Sequence, residues 1–129
     1  MIDRMTCLLC PAGCELEVRN EAGSVKVLGA KCAKGEDFGI EEALHPLRNL
    51  ATSVLLAGTE ADMVSVRLSR RVARDLIIPI LAEISKLRPA PPVRRGQVLI
   101  ADVLGSGTDV IATRTVLSRH RTPAVAETI

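Results

Sequence analysis

The chain has 129 residues, 47% of them apolar, enough for one sizeable core or for a small metal-stapled lobe beside a compact second lobe, but too few to enclose a large cofactor alone. Its net charge of +2 hides an asymmetry, six basic and eight acidic residues in 1–48 against eleven and seven in 49–129. Phe38 is the only aromatic residue, which argues against the base stacking used in single-strand nucleic-acid binding. No apolar run approaches the roughly 18 residues that span a bilayer, and the start carries no apolar signal-peptide core. The expected location is the cytoplasm, whose reducing conditions disfavour a disulfide framework.

In chain order, the first stretch with chemistry is Cys7-Leu8-Leu9-Cys10-Pro11-Ala12-Gly13-Cys14, followed after 17 residues by Cys32-Ala33-Lys34-Gly35. Between them, residues 15–19 and 24–28 alternate apolar and polar around Asn20-Glu21-Ala22-Gly23, which predicts a β-hairpin. An antiparallel return brings Cys32 back beside Cys14, with Gly29 and Gly35 relieving backbone crowding on either side of it. Residues 36–44 favour a short helix that His45-Pro46 ends. A second hairpin is expected from an apolar strand at 50–57 and from Val64, Val66 and Leu68 alternating with Ser65, Arg67 and Ser69.

Ile77, Ile80, Leu81, Ile84 and Leu87 share one helical face, so a helix is predicted up to about residue 87, with Asp75 as a candidate cap. Pro79 requires that helix either to begin near Leu76 or to bend. A proline-rich connector follows at 88–92, then strands over 98–104 and 109–116 flanking Gly105-Ser106-Gly107-Thr108, and a tail from Ser118. The predicted fold is α+β: a cysteine-rich cluster-binding lobe over 1–48 with a hairpin and short helix, then a small antiparallel sheet packed with one main helix over 49–117, and a flexible tail over 118–129.

The four cysteines are the only ones in the chain. Soft anionic thiolates in fours suit either one zinc ion or the four iron corners of a cubane cluster. A zinc ribbon presents two C-x-x-C knuckles, whereas here Cys32 stands alone. Three ligands in a tight loop with one distant ligand is an iron–sulfur arrangement, and a structural zinc remains the alternative. Gly105-Ser106-Gly107-Thr108 lacks the Gly-Lys-Ser/Thr ending of a P-loop and reads as a turn. His45 reads as a capping or packing residue. Arg67, Arg70, Arg71, Arg74, Arg94 and Arg95 read as solvated surface, and no nucleophile elbow or paired carboxylates point to hydrolysis.

Cys7-x-x-Cys10-Pro11-x-Gly13-Cys14, Cys32-Ala33-Lys34-Gly35 and His45-Pro46-Leu47-Arg48 resemble the N-terminal [4Fe-4S] segment of the molybdopterin oxidoreductases. The resemblance implies Cys7, Cys10, Cys14 and Cys32 as cluster ligands and Lys34 as a positive charge beside the cluster that raises its potential. It stops after Arg48, where that family's pterin-binding residues are absent. Over the whole chain, Ala90-Pro91-Pro92-Val93, Arg95-Gly96-Gln97-Val98 and 107–114 look like a family of small uncharacterised cysteine-rich proteins linked with flavin-dependent dehydrogenases of the glycerol 3-phosphate dehydrogenase type. That likeness implies a non-catalytic iron–sulfur subunit exchanging electrons with a flavoprotein dehydrogenase in the cytoplasm. A zinc-stabilised interaction module without redox activity is the alternative, and neither reading calls for nucleic acid or a membrane span.

Overall fold

A computed structural model describes residues 1–59 and 62–118 of the chain. It is α+β throughout, and the chain divides into two compact units at Leu47/Arg48.

The first unit is a three-stranded antiparallel sheet of β1 (Ile2–Thr6), β2 (Glu15–Glu21) and β3 (Ser24–Leu28), in that order, crossed by helix α1 (Ala33–Leu44). Strand β2 is central and carries the alternation that the hairpin needs, with Leu16 and Val18 buried and Glu15 exposed. The β2–β3 turn is the two-residue loop Ala22-Gly23, paired through Glu21 and Ser24, with φ of 47° and 85°. Two successive positive φ values give the primed turn whose twist matches the strands. Strand β1 falls outside the predicted elements. It pairs along its length with β2, from Ile2 against Arg19 to Thr6 against Glu15, but four of its five residues are exposed, so no alternation marks it.

Helix α1 starts three residues earlier than the sequence predicts. Cys32 is its N-cap with extended backbone, and His45 ends it by donating its N–H to Glu41 O at 2.8 Å just before Pro46. The helix lies close on the sheet at Gly39, where an added Cβ would stand 3.1 Å from both Val27 methyls and 3.3 Å from a Val18 methyl. That close approach leaves no comfortable room for a side chain there.

In the second unit a four-stranded antiparallel sheet has the order β5 (Ala51–Leu55), β6 (Met63–Leu68), β9 (Val110–Ala112), β8 (Val98–Ile100). The two-residue strands β4 (Leu47–Arg48) and β7 (Val72–Ala73) complete the described strands. Val54, Val64, Val66, Leu68 and Val110 form the core with Ile80 and Ile84 of helix α2 (Ile77–Ser85), each such side chain contributing about 1.5–3 kcal/mol by burial. Of the predicted helical face, Ile80 and Ile84 are fully buried and Ile77, Leu81 and Leu87 partly so. Pro79 is the third residue of α2, where its missing N–H would have had no intrahelical partner. Asp75 is not the cap: it sits in a 3-10 turn, Arg74–Leu76, and Leu76 is the N-cap without a side-chain bond.

The strand expected over 98–104 ends at Ile100. Asp102 and Leu104 take φ of 45° and 52°, and the chain turns through residues 103–105. The amides here are consumed locally: Gly107 N–H donates to Asp102 Oδ1 at 2.7 Å and Asp102 N–H to Asp109 Oδ1 at 2.9 Å. This is a turn between antiparallel strands, as its composition suggests. Thr108 anchors it and, at 1% exposure, is the buried polar residue among those described. Its Oγ1 accepts from Arg70 N–H at 3.0 Å and donates to Arg70 O at 3.2 Å, while Ser69 Oγ lies 3.1 Å away. Thr108→Val keeps the shape and orphans both Arg70 groups, so an expected loss of about 1–3 kcal/mol separates it from Thr108→Ser in urea unfolding of the full chain. Equal midpoints for the two variants contradict this account. The tail predicted from Ser118 lies, after that residue, outside the described residues.

Candidate metal centre

The sheet of the first unit sets the positions of the cysteines. Beyond Thr6/Glu15 the β1–β2 ladder continues for one more bond, Cys7 N–H to Cys14 O at 2.8 Å, so these two residues face each other at the base of the loop 8–13. Within that loop Gly13 takes φ of 57° and donates its N–H to Cys10 O at 3.4 Å, which folds the Cys10-Pro11 segment back toward Cys14. The return through β3 ends at Gly29, with φ of 88°, and delivers Cys32 to the start of α1.

Gly35, in the first turn of that helix, registers where two of the sulfurs are. A Cβ built on it would stand 3.6 Å from Cys7 Sγ and 3.9 Å from Cys32 Sγ. The fold therefore gathers Cys7 and Cys32 by their sulfurs and Cys7 and Cys14 by their backbones, residues up to 25 positions apart in the chain. Cys10 rides on the exposed loop between them. All four thiols are free; Cys7 is buried, Cys14 half-buried, and Cys10 and Cys32 exposed.

Among the described residues, no three His, Cys, Asp or Glu side chains stand close enough to hold one metal ion. Four thiolates are a donor set that both zinc and a cubane cluster take. Cys32 also caps α1, where the helix macrodipole and N–H groups without intrahelical partners favour negative charge.

Lys34 is exposed in the same first turn, two residues after Cys32. His45 terminates α1 as its C-cap. The sequence reading gave no role to Leu8 and Leu9, yet they stand 78% and 54% exposed between Cys7 and Cys10. An adjacent leucine pair in a segment with no strand or helix period was the available signal. The arginines singled out in the second unit are exposed, and no described helix is long and apolar enough to cross a membrane.

Comparison with curated proteins gives no match. Among solved structures, the NMR structure of Clostridium perfringens protein CPE0013 is similar at a TM-score of 0.50 and 20% identity, over 57% of this chain and 88% of that one. This is a likeness of fold alone. A family model described as "Protein of unknown function (DUF1667)" matches residues 33–114, from one residue after Cys32 and over more than half of the chain, and the chain belongs to that family.

Proposed function

We propose that the protein is an iron–sulfur electron-transfer subunit of a cytoplasmic oxidoreductase, with Cys7, Cys10, Cys14 and Cys32 as ligands of a [4Fe-4S] cluster and a flavoprotein dehydrogenase as its electron partner. The observation that supports this reading is the approach of the Cys7 and Cys32 sulfurs to the same glycine, with Cys14 joined to Cys7 through the backbone and Cys10 on the loop between Cys7 and Cys14. A bound cluster of this type supplies reversible one-electron transfer. The chain's own part is to hold the thiolates, to keep Cys7 from solvent, and to place Lys34 beside the group. Removing solvent and adding a positive charge act in opposite directions on the stability of a reduced, more negative centre, and Lys34 supplies the favourable one.

Leu8 and Leu9 support a subunit role. Exposed leucines next to metal-binding thiols offer apolar contact surface, and electron exchange needs a partner brought close to the ligand loop. The partner's identity as a flavoprotein rests on the family resemblance.

The deciding measurement is iron, zinc and acid-labile sulfide on protein purified without oxygen, with visible spectra before and after dithionite. About four irons and four sulfides per chain, and absorption that bleaches on reduction, are expected. One zinc without sulfide or bleaching makes the first unit a zinc-stabilised interaction module instead.

A further inference from the structure

The sheet of the second unit turns one face to its core and leaves the other open. On β6, Val64, Val66 and Leu68 point inward, so Ser65 and Arg67 point outward. Arg67 pairs in register with Ile111 of β9. Beside them the turn 94–97 closes with Gln97 N–H donating to Arg94 O at 2.9 Å and Gly96 at φ of 84°. That turn is fastened to β9 by Gly96 N–H to Ala112 O at 2.8 Å and Ala112 N–H to Gln97 O at 2.9 Å. Arg95 is further fixed by its own N–H, which donates to Thr115 Oγ1 at 3.0 Å.

The result is a pocket of about 180 Å³ lined by Arg67, Arg95, Gly96, Ile111, Ala112 and Thr113. Arg67 and Arg95 line it, and among the described residues no Asp or Glu does. Arg67 gives one N–H to Leu68 O at 3.0 Å and keeps its others, and neither arginine forms an ion pair among the described residues. Cations that share a small pocket without a counter-charge repel each other, and an anion between them converts that repulsion into attraction. The planar fork of arginine matches the paired oxygens of carboxylate and phosphate, and Ile111 adds an apolar wall for the rest of a small molecule.

We infer that this pocket binds a small oxyanion, the phosphate or carboxylate group of a compact organic molecule, between Arg67 and Arg95. Nucleic acid is the poorer fit, because the second unit contains no aromatic residue on which a base can stack. The inference rests on the second unit alone and stands or falls separately from the cysteine centre.

The test is titration of the full chain with inorganic phosphate and, separately, acetate at low ionic strength, followed by amide proton–nitrogen spectra. Saturable shifts confined to residues around Gly96, Ile111 and Thr113, with a dissociation constant on the order of 1 mM, are expected for at least one anion; the tighter one identifies the source. Arg67→Met and Arg95→Met are each expected to weaken binding at least tenfold. Arg95 lies on an exposed turn, so its variant carries the test if Arg67→Met disturbs β6. Linear, non-saturating shifts with both anions, or saturable binding that survives Arg95→Met, overturn the inference.

Discussion

Replacing Gly29 with Ala is expected to destabilise the first unit by about 3 kcal/mol or more. A Cβ at this position would fall 2.2 Å from Glu15 O and 3.4 Å from Glu15 C, both backbone atoms of β2. No rotamer change relieves a clash with backbone, so β2 and the end of β3 must separate. The φ of 88° adds its own penalty, about 1–3 kcal/mol for a residue with a side chain. A unit of fewer than 50 residues has little reserve against such a loss. Gly35→Ala is the matched control: its Cβ meets Ala30, Cys7 and Cys32 side-chain atoms only at 3.6–3.9 Å, ordinary contact, and alanine is favoured over glycine in a helix by about 0.5–1 kcal/mol. In urea unfolding of the metal-free protein, Gly29→Ala should lose the first unit at the lowest denaturant concentrations while Gly35→Ala keeps it. Wild-type stability in Gly29→Ala defeats the geometry described for the β3 exit.

Cys7→Ala is expected to reduce bound iron and acid-labile sulfide from about four each per chain to a small fraction, and to remove the visible absorption that dithionite bleaches. Cys7 carries the largest effect of the four. It is 6% exposed, its sulfur lies near Gly35 as that of Cys32 does, and its backbone joins Cys14, so on the proposed reading its thiolate is the fixed member of the set. Alanine suits the test because it stays apolar in a buried place and leaves the Cys7 N–H bond to Cys14 O intact. An unchanged far-ultraviolet spectrum then separates loss of a ligand from loss of the fold. Full iron and sulfide content in the variant removes Cys7 from the ligand set and with it the proposed centre.

Much of the architecture is legible where burial imposes a period. Leu16 and Val18 on β2, Val64, Val66 and Leu68 on β6, and Ile80 and Ile84 on α2 all fall on the faces that their spacing predicts. Strand β1 was not legible, because Ile2, Asp3, Arg4 and Thr6 are exposed and only pairing with β2 holds them extended. The early end of β8 was hidden for another reason: the positive φ of Asp102 and Leu104 accompanies a carboxylate–amide bond to Gly107, a contact that no propensity encodes. At the cysteines, spacing and the hairpin foretell that Cys32 comes back toward the first three. Which thiol is buried depends on how α1 lies over Cys7 at Gly35, and that is a tertiary fact. Arg67 and Arg95 read only as surface in the sequence, since they come to line one pocket through strand register and a turn stapled 16 residues away along the chain.

The two sheets differ in how far along the chain their partners lie, and this has a kinetic consequence. In the first unit, β1, β2 and β3 pair with their immediate successors and α1 follows at once. In the second, the central pair β6–β9 joins Val66 to Ala112, and Thr113 bonds to Ser65 across 48 positions. Local pairings form fast and distant ones slowly. As the chain emerges during synthesis, every contact that arranges the four thiols is available once residue 44 has appeared, whereas the second sheet waits for β9. The cysteine loop can thus take its place while most of the polypeptide behind it is still unfolded.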